Sequence, residues 1–160
     1  MYERLQKAIS LANRVHTNKP DKLGYPSILH PLRVMLKGDP SNESDLIVRV
    51  LHDVLEDADD ISFSFIEAME KIEVTPDELH ALYLLTHRKN EPYQDYIRDI
   101  CKEEWSRNIK RDDILDNFTR MKGLDPEIVR RMGEKYMRAL GTIDSWENKK
   151  YGNETQNDYR

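Results

Sequence analysis

One helix-length stretch constrains this chain more than any other. Leu46, Ile47, Val50, Leu51, Val54 and Leu55 recur at the three- and four-residue spacing of a single helix face. A stripe that wide belongs to a helix packed on several sides, so other elements must form a core around it. Set into the same stretch are His52 and Asp53, with Glu56 and Asp57 one turn further on the same strip. Burying an imidazole beside a carboxylate is costly unless something pairs with both. A divalent cation can do so, because it takes neutral imidazole nitrogen and carboxylate oxygen together. The competing reading is a solvated helix edge that runs into a polar turn. This segment alone leaves both open.

Helical signals recur through the rest of the chain and no alternating strand appears, so the expected fold class is all-α. Leu5, Ala8, Ile9, Ala12 and Val15 predict a first helix over about 2–16. Pro20, Gly24 and Pro26 mark a loop. Pro31 opens a second helix, with His30 at or just before its start. Ser44 or Asp45 is expected to cap the third helix, which ends in an acidic turn over 57–60. Ser64 with Glu67 reads as a capping box, and Thr75-Pro76-Asp77-Glu78 as a better one, starting a helix that reaches about Thr86. Pro92 opens a helix with Tyr93, Tyr96, Ile97 and Ile100, and another carries Ile109, Ile114, Leu115 and Phe118. Asp125-Pro126 starts the last, which Gly141 is expected to end. One domain is therefore expected over 1–141, with 142–160 a polar, flexible tail.

Composition narrows the partners. A length of 160 residues suits one domain. The net charge of -5 argues against nucleic acid and anionic membranes as partners. A few cations, among them Lys19, Lys22, Arg88, Lys89 and Lys110, can still gather phosphate at one site. Cys101 is the single cysteine, which fits a reducing compartment. The first residues lack a leader-like apolar core and no apolar run is long enough to span a bilayer, so the expected location is cytoplasmic.

An ion wants about four to six groups, so partners for His52 and Asp53 must come from elsewhere. His30 and Asp113 are candidates, the latter sharing a helix face with Lys110 and Asn117. Taken singly, His30-Pro31 is a helix-start device and 109–117 an exposed acidic face. Together these pieces resemble the hydrolase domain of Rel/Spo-type alarmone enzymes and the stand-alone small alarmone hydrolases. His16, followed by Lys22-Leu23-Gly24-Tyr25-Pro26-Ser27-Ile28-Leu29-His30-Pro31, is similar to that family's histidine, basic loop and Pro-Tyr-Ile-x-His-Pro segment. Leu51 to Asp57 resembles its Leu-His-Asp-Val-x-Glu-Asp motif. Ile109-Lys110, Asp113 and Asn117 resemble its Val-Lys-Leu-Ala-Asp segment with a trailing Asn. Leu85 to Lys89, with Glu91, Tyr93, Tyr96 and Ile97, resembles a segment of the short members, and the likeness spans roughly 5–120.

The resemblance implies a metal-dependent phosphohydrolase built as an HD-domain helical bundle. One divalent ion, typically Mn²⁺, would be held by His30, His52, Asp53 and Asp113. Glu56 and Asp57 would orient and deprotonate the attacking water. Asn117 would contact the sugar and Lys22 a phosphate, with Lys110, Arg88, Lys89 and Tyr93 also on the substrate side. The implied partner is a small nucleotide with a 3′-pyrophosphate or 3′-phosphate, such as ppGpp or ppApp. Two alternatives stand beside it: an HD phosphomonoesterase or nucleotidase on another small phosphoester, the 2′-phosphate of NADPH included, and a catalytically silent nucleotide-binding module. The intact Glu56-Asp57 pair argues against the last. Asp21 stands where the family has Arg, Ser27 where it has Tyr, and Asp112 where it has Ala. These departures fall on the substrate side, so chemistry is expected to transfer more readily than base specificity. His80 is expected at the surface. His87 reads as a substrate contact or a loop cap, and Tyr93 and Tyr96 as base-stacking or core residues.

Overall fold

The computed structural model describes residues 2–58 and 63–157, and the regular elements in them are helices. In chain order they are α1 (Glu3–His16), α2 (Leu29–Met35), α3 (Glu43–Leu51), α4 (Val54–Asp57), α5 (Phe63–Ile72), α6 (Pro76–Leu85), α7 (Tyr93–Cys101), α8 (Glu104–Thr119) and α9 (Pro126–Asn157). The expected all-α architecture is what the chain adopts.

Caps explain several boundaries. At α6 the Thr75 hydroxyl accepts from the Glu78 amide at 3.2 Å, and the Glu78 carboxylate accepts from the Thr75 amide at 2.8 Å. At α3 the cap is Asn42, not Ser44 or Asp45, its side chain accepting from the Asp45 amide at 3.1 Å. Asp45 is otherwise committed: its carboxylate accepts from Arg49 Nε at 2.7 Å and from Trp105 Nε1 at 2.7 Å. Gly38 makes that pair possible, because a Cβ there would lie 2.6 Å from Asp45 Oδ2 and 2.7 Å from Arg49 Cδ. The Ser64 side chain and the turn at Asp59 and Asp60 lie outside the described residues.

Two apolar clusters form the interior. The first gathers Ala8 and Leu11 of α1, Val34 of α2, Ile47, Val50 and Leu51 of α3, Leu82 and Leu85 of α6, and Ile109 of α8. The second joins Ile97 and Ile100 of α7, Ile114 of α8 and Ala139 and Ile143 of α9. α8 is shared, and Asp113 lies on it between the two. Arg49, 6% exposed, ties the layers together. It donates to Asp112 Oδ2 of α8 at 2.7 Å and to the Val34 carbonyl of α2 at 3.4 Å. Breaking such a buried pair from one side leaves an uncompensated charge and costs about 3–5 kcal/mol.

Two expectations are corrected. The third helix is not continuous through Glu56: α3 ends at Leu51, and α4 begins at Val54. Asp53, at φ -98 and ψ -6, breaks the helical run there. Nor does the last helix end at Gly141. Ile143 beyond it is fully buried, and Arg111 holds Asp144 at 2.7 Å and Glu147 at 2.9 Å. Apolar burial and paired charges on one face keep those turns helical, and glycine in mid-helix costs only about 1 kcal/mol against alanine.

Candidate metal centre

The break after α3 is what builds the site. The ring of His52 turns back so that Nδ1 lies 2.7 Å from the Arg49 carbonyl. A carbonyl only accepts, so Nδ1 carries the proton and Nε2 presents a lone pair. His30, near the start of α2, is fixed in the same sense by a different partner. Its Nδ1 lies 2.7 Å from Asp116 Oδ2, and Asp116 is also gripped by Arg33 Nε at 2.8 Å. Burial opposes ionisation of Asp116, but the hydrogen bonds from His30 and Arg33 outweigh it and hold its carboxyl well below the usual range.

With both outer nitrogens occupied, the two inner ones converge. His30 Nε2 and His52 Nε2 lie 3.3 Å apart. Asp113 Oδ1 is 3.0 Å from the first, and Asp53 Oδ2 is 3.1 Å from the second and 3.4 Å from the first. His30, His52 and Asp113 are all buried and offer ligand atoms within 4.8 Å of one another. Lone pairs facing each other in an interior repel unless a cation lies among them. The surroundings also favour positive charge at this point, which a bound cation supplies in place of ring protons. Burial works against charge on His30, yet the hydrogen bonds to Asp113 and Asp116 raise its pKa to about 9. On His52 burial is likewise outweighed, chiefly by the charge of Asp53. The carboxyl of Asp113 is held far down, burial being overcome by the Lys110 charge and by His30. This donor set suits a divalent metal, with each imidazole oriented by an outer hydrogen bond as metal-binding histidines are.

A cleft of about 450 Å³ opens over these groups. His30, Asp53 and Asp113 line it, together with Glu56, Asp57, Lys22, Lys110, Tyr93 and Asn117. Asn117 donates to Asp113 Oδ1 at 2.6 Å. Glu56 Oε2 accepts from the His87 amide at 3.2 Å, which holds the loop after α6 against α4. Burial, then the charges of Asp53 and Glu56, push Asp57 up to about 6. Lys110 is a buried group rather than a rim cation: its Nζ lies 2.6 Å from Asp113 Oδ2 and 5.2 Å from the Tyr96 ring centre.

Arg88 and Lys89 are not among the residues lining the cleft. Arg88 instead stacks on Tyr83, 4.8 Å from its ring centre, and donates to its hydroxyl. Tyr96 is a core residue at 2% exposed, whereas Tyr93 faces the cleft. His80 is exposed as expected. His87 bonds the Glu91 carbonyl of its own loop at 2.8 Å and also lines the cleft. Asp112 adds no free charge beside the converging His and Asp groups, since Arg49 takes it. Asp21 acts as a loop anchor, accepting from the Leu23 and Tyr25 amides and from Arg120 at 3.1 Å.

Sequence reasoning missed two features. Asp116 orients His30, and its signal was its position one turn from Asp113. The second is a whole wall: Met132, Lys135 and Tyr136 of α9 line the cleft. Nothing local marks them, because they meet the site only through the packing of α9 on α7 and α8.

No family model and no curated protein matches the chain. Among solved structures, it is similar to one described as a metazoan ortholog of SpoT that hydrolyzes ppGpp and plays a role in starvation responses. The TM-score is 0.67 at 22% identity, over 92% of this chain and 96% of that one. The likeness is one of fold: an all-α bundle of the same architecture.

Proposed function

We propose that the chain is a metal-dependent phosphohydrolase acting on a small nucleotide with a 3′-pyrophosphate or 3′-phosphate, of the ppGpp or ppApp kind. The observation that carries the reading is the pair of buried imidazoles, each fixed from outside, facing one another at 3.3 Å across two carboxylates. The described fold neighbour, a ppGpp hydrolase by its description, supports the substrate class.

In this reading His30, His52, Asp53 and Asp113 hold one divalent ion, Mn²⁺ in the family resembled. When bound, such an ion polarises a phosphoryl group and makes water more acidic. The chain's own residues do the rest. Glu56 and Asp57 orient the attacking water and receive its proton; a carboxylate raised to about 6 is better matched to that task near neutral pH than an ordinary one. Asn117, tethered to Asp113 through its amide nitrogen and to Arg120 through its oxygen, has its second N–H left for the sugar. Lys22 meets a phosphate, and Tyr93, which also lines the cleft, offers an aromatic surface. Arg88 and Lys89 have no part in it, as neither lines the cleft. We place the enzyme in the cytosol, where nucleotides of this kind occur. No described helix is long and apolar enough to cross a membrane.

Elemental analysis of the purified protein, followed by incubation of the loaded protein with ppGpp, ppApp and NADPH, tests the proposal. About one divalent ion per chain and release of pyrophosphate or phosphate from a 3′ position are expected. If none of the three turns over while another phosphoester does, the alarmone reading fails and the phosphohydrolase survives. One observation favours keeping that second reading, an HD phosphomonoesterase or nucleotidase. Asp21 is spent anchoring its own loop and drawing Arg120 toward it, so this loop cannot present the arginine the family uses on the base.

A further inference from the structure

α1 ends at the cleft in a residue for which the proposed chemistry has no role. His16 is 4% exposed, yet it lines the cleft. Neither of its ring nitrogens has a hydrogen-bond partner. A buried polar atom left unmet is costly, and here two lie on one ring. The contrast with His30 and His52 is sharp, since the Nδ1 atoms of both have partners at 2.7 Å.

What stands before His16 is Asp57. The distance from His16 Nδ1 to Asp57 Oδ2 is 3.5 Å, roughly half an ångström beyond an ordinary N–H···O bond. The segment that follows His16 takes hold of Asp57 a second time, because Lys19 Nζ donates to the Asp57 carbonyl at 2.6 Å. On its other side the Asp57 amide donates to the Asp53 carbonyl at 2.8 Å. The main chain of Asp57 is therefore pinned, and its carboxylate, 46% exposed into the cleft, keeps only its side-chain torsions. A small rotation closes the gap with no backbone movement. Burial pushes the pKa of His16 down, so the ring is neutral near pH 7. A neutral donor steers a carboxylate without cancelling its charge. A role as a further ion ligand is disfavoured, because His16 Nδ1 faces Asp57 rather than His30, His52, Asp53 or Asp113.

We propose that His16 is a positioning residue: its Nδ1–H closes onto Asp57 Oδ2 when the cleft is filled, leaving the other carboxylate oxygen aimed at the attacking water. The inference rests on the role given to Asp57 above.

Substituted amides separate the two ring nitrogens. An asparagine amide stands about where Nδ1 does, and a glutamine amide about where Nε2 does. With the full chain, loaded with metal and assayed on whichever phosphoester the wild type hydrolyses, His16→Ala is expected to lower kcat by about ten- to a hundredfold, the cost of a misaimed group. KM and ion content should stay within about twofold of wild type. His16→Asn should restore most of the loss, His16→Gln should not, and free imidazole should revive His16→Ala. Added to Asp57→Asn, His16→Ala should cost nothing more, since the two act as one unit. A wild-type kcat in His16→Ala, equal rates for Asn and Gln, or additive losses overturn the proposal. A readout independent of turnover is the imidazole ¹⁵N spectrum of the protein loaded with diamagnetic Mg²⁺. It should show His16 as the Nδ1–H tautomer, with a signal that moves in Asp57→Asn. An Nε2–H tautomer overturns the proposal even if the variants do not fold. Should the wild type hydrolyse nothing while this coupling is present, the enzymatic reading falls and the contact stands.

Discussion

The two ends of the cleft are built by different rules. At the floor three of the four groups are gripped by an outside neighbour: His52 by the Arg49 carbonyl, His30 by Asp116, and Asp113 by Lys110 and Asn117. At the mouth, Lys22 rests 3.2 Å from the Met132 sulfur and Lys135 lies 3.7 Å from the Tyr93 ring centre. Neither contact neutralises a charge. A floor held by buried hydrogen bonds has one geometry, which suits an ion with fixed demands. A mouth of cations on soft surfaces can meet anions of more than one shape. Under the proposed function, chemistry and selectivity are separable here: reaction type would belong to α2, α3, α4 and α8, and substrate choice to the basic loop and α9.

The comparison breaks first at His52. His52→Ala should abolish ion binding and turnover together, a loss beyond about a thousandfold, since it removes a ligand outright. Stoichiometric ion in that variant, by elemental analysis, would remove His52 from the floor. Glu56→Gln should keep the ion and lower kcat by about 10²–10⁴, as expected when a positioned base is lost. Ion loss in this variant would mean that Glu56 belongs to the ligand set. Asp116→Asn probes the grip itself. Freed of its carboxylate partner, His30 should bind the ion about ten- to a hundredfold more weakly, measured by competition with a chelator. The smallest effect is predicted at the mouth. Lys135→Ala should raise KM by about three- to tenfold with kcat and ion content unchanged, in keeping with one solvent-facing charge. A fall in kcat there would show that the two ends are not separable.

The legibility of the fold follows from the range of the forces involved. The capping box at Thr75 and the helix over Glu3–His16 were readable because they depend on residues three or four apart. The Asn42 cap was misplaced because Asp45, a good capping residue locally, is claimed by Arg49 one turn on in the same helix and by Trp105 from a distant part of the chain. The break at His52-Asp53 was hidden because the apolar stripe runs through it without interruption. A ring-to-carbonyl bond, with Asp53 outside the helical run, overrides that periodicity. Gly141 misled for the opposite reason. A glycine ends an isolated helix readily, but Ile143 and the Arg111 ion pairs favour continuing this one.

His52 and Asp53 stood out in the sequence alone, as an imidazole and a carboxylate set into an apolar stripe, whereas His30 and Asp113 were joined to them only by the likeness to Rel/Spo-type hydrolase domains. The packing decided how they meet. It turned both Nε2 atoms inward, recruited Asp116 to hold His30, brought α9 over the cleft and left His16 facing Asp57 without a partner. Apart from the His52 bond to Arg49, which spans one turn, those outcomes depend on contacts between residues dozens of positions apart, and the local patterns that announce helices, caps and motifs carry no record of them.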